Sequence, residues 1–404
     1  MAMTHVERFR AVMAGKGFDR ALLNMGCREE LGRQIKEYLG ADDIYAVLYD
    51  GFGVDIRFAW APWAGDAKKD LGDGTYQNIW GVRMKTQSYG EGQGTYEETV
   101  GNPLAAATTV AEIDAHPWPD PANHDFAVAG RMMQEHPDFA FAASYAAIGW
   151  WSWDMVGFEK FLEHLILEPR LAEAIIGHVS DFCFEYYRRL IEAARGQIGR
   201  NFCYLHMADD WATQQSLLIS PEMYRQYMKK HYRRIIDLAH AAGLMVEFHC
   251  CGAVRPLIPE LIDTGIDILH PIQTSAAGME PKELADEFGD KVAFDGGMDI
   301  QTILPNGTVP EVKARARYLL QTLGRGGRYI LAPSHVMQVG TPPENIVAMV
   351  EALYEYYGGV PNPDVSRLGA PLTCPLTEFV RNPDVRRDPS GAVRDPKREV
   401  GDPN

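Results

Sequence analysis

Two hydrophobic periods alternate through the second half of the chain. Leu244-Met-Val-Glu-Phe-His is a short β-rich run, and it follows a segment whose apolar residues recur at helical spacing. Ser220 is placed to N-cap that helix, Pro221 suits its first position and Gly243 ends it. Runs beginning at Ile266, Val292 and Arg328 predict three further buried strands with amphipathic helices between them. The last helix is the clearest. Thr341 is its cap and Pro342 comes next; Ile346, Met349, Val350, Leu353 and Tyr357 share one face, and Gly358 closes it. Earlier in the chain, 21–26, 139–145 and 201–207 read as strands, and 158–195 and 221–242 as helices.

Strands that alternate with helices of this length predict a parallel sheet joined by crossover helices. Seven such strands between residues 21 and 333 fit an α/β fold of the TIM type, a (β/α)₈ barrel, better than one open sheet. No Gly-rich dinucleotide turn follows any of them. Residues 50–125 break the alternation and are rich in Gly, Trp and Asp, which predicts an irregular insertion covering one mouth of the barrel. The expected organisation is a barrel domain over 1–360 and an irregular C-terminal tail over 361–404. That tail is rich in Pro, Asp and Arg and repeats Asn-Pro-Asp-Val at 362 and 382. It is expected to wrap the surface, pack on a partner subunit in a homodimer, or stay partly disordered.

Charge narrows the partners. With 39 Lys and Arg against 55 Asp and Glu, the formal net charge is −16. A chain that acidic has no broad field for phosphate backbones or anionic lipid, so nucleic acid and membrane are set aside. The longest apolar stretch, 139–151, is too short to span a bilayer. Six cysteines in 404 residues make no disulfide framework, and the first residues carry no apolar leader. The expectation is a cytoplasmic protein with reduced thiols.

Polar, reactive residues recur where candidate strands end: His206, Asp209 and Asp210; His249, Cys250 and Cys251; His270 and Gln273; Asp295, Asp299 and Gln301; Ser334 and His335. In a parallel barrel those ends converge on one face, the face that carries active sites. Within Phe248-His-Cys-Cys-Gly, alternation sends His249 and Cys251 one way and Phe248 and Cys250 the other. An imidazole and a thiolate aimed at one point are half of a zinc site, although buried thiols beside a core histidine would show the same spacing. His335 is a candidate third ligand, or a residue that binds substrate. Asp209 and Asp210 are candidate general acids, bases or substrate anchors, or else caps and loop residues. Two adjacent carboxylates repel, which raises one pKa. Trp150, Trp151 and Trp153 can line an aromatic pocket, although core packing is the commoner use of such rings.

In order and spacing, these segments resemble the uroporphyrinogen decarboxylase superfamily over roughly 5–358. The resemblance is carried by Val6-Glu-Arg-Phe-Arg, Phe18-Asp-Arg, Trp80-Gly-Val and Pro117-Trp-Pro-Asp-Pro. It continues through Gly157-Phe-Glu-Lys-Phe-Leu, Asp209-Asp-Trp-Ala-Thr-Gln and Leu218-Ile-Ser-Pro-Glu-Met-Tyr, and is strongest from His249-Cys-Cys-Gly to Pro343-Glu-Asn-Ile. That superfamily has the (β/α)₈ fold and also contains zinc-dependent, corrinoid-linked methyltransferases. The Arg-Gln-Ala-Gly-Arg segment of the porphyrinogen decarboxylases is replaced here by Asn24-Met-Gly-Cys-Arg-Glu-Glu-Leu-Gly-Arg. A polycarboxylate substrate would lack its Arg partners, so haem-pathway decarboxylation is not expected.

The methyltransferase branch binds zinc through His-x-Cys and a later Cys. The resemblance therefore implies a metal set of His249, Cys251 and, at the later Cys position within Ala332-Pro-Ser-His-Val, His335. Two imidazoles and one thiolate are still competent for zinc and leave it more electrophilic than a sulfur-rich set. This departure argues against coenzyme M as substrate. The implied activity moves a methyl group from a small O-methyl compound, aromatic methoxy compounds included, to the cob(I)alamin of a separate corrinoid protein. Asp209 and Asp210 would be the catalytic pair, and Trp151, Gln214, Gln273 and Asp299 would contact substrate. A cofactor-free decarboxylase of a small acid and a non-catalytic binding protein are the competing readings.

Overall fold

The computed structural model describes residues 3–88, 90, 94–144 and 147–358. Eight parallel strands form the barrel: β1 (Leu22–Leu23), β2 (Ile56–Ala59), β7 (Ala140–Ser144), β8 (Phe202–Ala208), β9 (Met245–His249), β10 (Ile268–Ile272), β11 (Ala293–Met298) and β12 (Tyr329–Pro333). Their order is β1-β12-β11-β10-β9-β8-β7-β2. The seam between β1 and β2 is closed at Asp55. Its backbone N–H donates to the Leu23 carbonyl at 2.9 Å, and its carboxylate accepts the Leu23 N–H at 2.8 Å. The same carboxylate accepts from Arg20 at 2.6 Å and Arg8 at 2.7 Å, and it lies 2.8 Å from His5 Nδ1. Burial alone would raise this acid, but the two guanidiniums and His5 hold it well below the usual carboxylate range.

The stretch 50–125 differs from the irregular insertion expected. It contributes barrel strand β2 and then a four-stranded antiparallel sheet: β3 (Lys68–Asp70), β4 (Tyr76–Asn78), β5 (Arg83–Ser88) and β6 (Thr95–Gly101). This small sheet is fastened to the C-terminal end of the barrel. The Tyr96 hydroxyl donates to Gln338 beyond β12 at 2.7 Å, and Arg28 beyond β1 donates to the Thr95 carbonyl at 3.0 Å. Thr99 donates to Asp154, beyond β7, at 3.3 Å. It therefore covers the barrel mouth, as the sequence led us to expect of this stretch.

The helical span 158–195 divides into Phe158–Leu167 and Pro169–Ala193, because Pro169 starts a new helix at its own first position. Ser220 accepts the Met223 N–H at 3.2 Å, and the helix it opens passes through a π-turn at Tyr224–Met228 before Lys229–Ala241. The final helix is Pro343–Tyr356, one residue later than expected. Pro342 precedes another proline, which forces it to extended geometry, and so it serves as the cap. The tail 361–404 and Tyr145 lie outside the described residues. Among the described residues no helix is long and apolar enough to cross a membrane.

The barrel interior is layered. Its floor is apolar: Leu22, Ile56, Ala140, Ala142, Tyr204, Ile268, Ala293 and Ile330 pack against Phe9 and Val12 of the helix His5–Met13, which plugs the bottom. Side chains alternate along a strand, so the next inward position lies two residues on. There the character changes to Asn24, His206, Glu247, His270 and Asp295. The larger apolar cluster lies between the barrel and its helices.

Candidate metal centre

His249 ends β9 and points inward at the mouth. Its Nε2 lies 3.3 Å from Cys251 Sγ and 3.7 Å from Asp210 Oδ1. The His335 ring centroid lies 5.6 Å from that of His249. One donor atom from each of His249, Cys251 and His335 falls within 4.8 Å of the others. Cys250 points away, as alternation requires, and its buried sulfur accepts the Trp211 N–H at 3.3 Å. The next residue, Gly252, takes φ +93°, and a Cβ there would lie 2.4 Å from the Thr213 carbonyl oxygen. Only glycine fits that close approach, which holds the His-x-Cys turn against the loop after β8. Gln273 locks the same turn, its amide oxygen accepting the Gly252 N–H at 2.7 Å.

Burial favours the uncharged form of every imidazole here. It lowers His249 to about 3, helped by neighbouring His206, and lowers His335 to about 4, helped by His249. Neutral imidazole is the form that binds a metal. Asp210 is raised by burial; the Cys251 N–H, at 2.7 Å from Oδ1, and His335 oppose that shift.

The two adjacent aspartates face different tasks. Asp209 accepts N–H groups of Gly149 and Trp150 at 2.8 and 2.7 Å and the Tyr232 hydroxyl at 2.5 Å. Both its oxygens are engaged at the start of helix Ile148–Val156, while Asp210 faces the donor cluster. Burial raises Asp209 to about 7 against the pull of those three donors. Trp151, on that helix, packs on Trp80 with ring centroids 5.0 Å apart. Asp299 accepts from Gln301, Thr302 and Ile303 and caps the turn after β11. The Gln214 side chain is exposed on the loop after β8, and its carbonyl accepts the Ala277 N–H at 3.0 Å. The structure thus brings Asp210, His249, Cys251 and His335 together at one point. Asp209, Gln273 and Asp299 are engaged in supporting contacts, and Trp151 and Gln214 lie elsewhere.

Of the layer beneath, the sequence named His206, His270 and Asp295 at strand ends but not Glu247. Glu247 is fully buried, two residues before His249 on the same inward face, and lies 2.5 Å from His206 Nδ1. Burial raises its carboxyl, as it raises that of Asp295, which the neighbouring charge of Glu247 raises further. Asn24 donates to Asp295 at 3.4 Å. His270 Nδ1 lies 2.9 Å from His249 Nδ1. The signal was available in Met245-x-Glu-x-His, whose three members share one face of a strand.

Known proteins agree with this architecture. A methyltransferase from Methanosarcina mazei has the same fold, with a TM-score of 0.65 at 19% identity, covering 88% of this chain and 99% of that one. Methylcobamide:CoM methyltransferase MtaA of Methanosarcina barkeri is 25% identical over 204 residues, 50% of this chain and 55% of that protein. Methylated-thiol–coenzyme M methyltransferase of Methanosarcina mazei is 28% identical over 201 residues, 50% of this chain and 49% of that protein. The chain thus spans about half the length of the curated relatives it matches. The model of the uroporphyrinogen decarboxylase (URO-D) family matches residues 145–356. That stretch is more than half of the chain and contains every candidate ligand, and so the chain belongs to the uroporphyrinogen decarboxylase (URO-D) family.

Proposed function

We propose that this chain is a zinc-dependent methyltransferase that moves a methyl group from a small O-methyl compound to the cob(I)alamin of a separate corrinoid protein. The observation that carries this reading is the convergence of His249, Cys251 and His335 at the barrel mouth. Similarity to methyltransferases named for methylcobamide and coenzyme M supports the reaction class.

The donor set fits zinc. Two imidazoles kept neutral by burial and one thiol stand around a point that Asp210 also faces. A zinc ion bound there supplies a Lewis acid that stabilises negative charge on a departing oxygen. With one sulfur ligand the site favours an oxygen leaving group over thiolate activation.

The chain's own residues supply the rest. Asp210 is the acid placed to deliver or hold a proton at the leaving oxygen, since the Cys251 N–H fixes its carboxylate beside His249. Asp209 positions the Trp150–Trp151 turn through its bonds to Gly149 and Trp150. The small sheet over the mouth limits water and directs the corrinoid partner to the uncovered part of the rim.

The test is elemental analysis of the purified protein and of Cys251→Ala and His335→Ala, beside an assay of methyl transfer from methoxylated compounds to cob(I)alamin. Zinc and transfer lost together in both variants support the reading. Zinc lost only in Cys251→Ala returns His335 to the substrate pocket. Metal-free protein from zinc-supplemented growth sinks it, and decarboxylation of a small acid becomes the reading to assay.

A further inference from the structure

Directly beneath the mouth, three histidines from adjacent strands face one another. The ring centroids are 5.9 Å apart for His206 and His249, 5.6 Å for His206 and His270, and 4.8 Å for His249 and His270. One nitrogen from each lies within 4.8 Å of the others. The available nitrogens follow from their hydrogen bonds. His206 spends Nδ1 on Glu247 and keeps Nε2; His249 turns Nε2 to Cys251 and keeps Nδ1, beside Nδ1 of His270.

We propose that His206, His249 and His270 form a second cation site beneath the first, with His249 bridging the two as an imidazolate whose ring proton is released to solvent when both ions bind. Nothing in the proposed methyl transfer requires this deeper ion, and the site stands on its own geometry.

Two features beyond the imidazoles point to a cation. A carboxylate behind a ligating histidine, as Glu247 stands behind His206, is the arrangement that fixes tautomer and ring orientation in metal sites. Glu247 and Asp295 are also completely buried, and among the described residues neither has an Arg or Lys ion pair. Glu247 Oε1 and Asp295 Oδ1 receive no hydrogen bond from any other group. Buried acids are otherwise paired or set against a metal, and an ion among the three imidazoles would supply that charge. A nitrogen-only set suits zinc, nickel or copper and disfavours magnesium and calcium. The upper set differs from it by containing a thiolate.

The experiment loads metal-stripped protein with zinc and then with cobalt(II), and compares wild type, Cys251→Ala/His335→Ala and His206→Gln, with circular dichroism to verify folding. Wild type should hold about two zinc ions per chain and each variant about one. Cobalt-loaded His206→Gln should keep the thiolate-to-cobalt charge-transfer band, and the double variant should lose it while retaining one cobalt. A metal-free double variant, or wild type and His206→Gln with equal content, overturns the deeper site. Those results leave the upper site and the methyl-transfer reading intact. If the double variant does not fold, the wild-type and His206→Gln comparison decides alone.

Discussion

Two of the buried acidic centres of the barrel are treated in opposite ways. Asp55, at the seam, meets two guanidiniums, a histidine and a backbone N–H, and is held ionised. Glu247 and Asp295, at mid-height, meet a histidine, an amide and each other, and are pushed towards the protonated form. Both sit near zero exposure, so depth does not separate them; the company does. An acid answered by two guanidiniums, a histidine and a backbone N–H is part of the framework. A pair kept short of cations beneath a ring of neutral imidazoles is provision for something that binds.

The largest effect expected of this contrast is at the seam. Asp55→Ala leaves Arg8 and Arg20 buried without their partner, and urea unfolding should show a loss of about 3–5 kcal/mol. A comparable loss in Glu247→Gln at neutral pH would break the contrast. Next comes Gly252→Ala, where strain and the clash with Thr213 should cost about 1–3 kcal/mol. Because it shifts the His-x-Cys turn, it should also lower zinc content, read by elemental analysis. Chelation is milder. The metal-stripped barrel should remain folded, as seen by circular dichroism, and restoring metal at about a hundred times Kd should add about 2.7 kcal/mol for each site filled.

The smallest effect is a pH dependence, and the two centres give it opposite signs. Asp55 is depressed in the folded state, so its contribution is present above the ordinary Asp range and fades as pH falls below about 4. Glu247 is raised, so the folded state binds the extra proton. Folding therefore becomes less favourable as pH climbs from about 4.3 towards its raised value. In metal-stripped protein, Glu247→Gln should be close to neutral at about pH 5 and should gain relative stability by about pH 8, measured as urea midpoints. An unchanged difference across that range would remove Glu247 as the titrating partner.

Seven of the eight barrel strands, the wall helices and the converging ends of the strands were legible in the sequence, because alternation and caps are local. β2 was not, since its four residues carry Arg57 and follow Asp55 in a Gly- and Trp-rich stretch. The charge there becomes tolerable only once His5, Arg8 and Arg20 arrive from far along the chain. The His-x-Cys geometry was legible because it depends on strand periodicity alone. The depth of Glu247 was legible only by carrying that periodicity back from His249, because a glutamate between Val246 and Phe248 otherwise reads as the solvent side of a half-buried strand. Only closure of the ring makes that side an interior. The division of labour between Asp209 and Asp210 likewise needed the helix Ile148–Val156 to be in place.

The seam also bears on the order of assembly. β1 is made early in synthesis, yet its ladder partner among the described residues, β12, lies some three hundred residues downstream. A two-residue strand cannot wait that long unsupported. His5, Arg8, Arg20, Leu23 and Asp55 are all present once the first fifty-five residues have emerged, and their bonds need nothing later in the chain. Every member of the cluster thus comes from the first fifty-five residues, while the ladder partner of β1 comes from the far end of the chain. The ion cluster therefore joins the two ends of the sheet with residues drawn from one end of the chain.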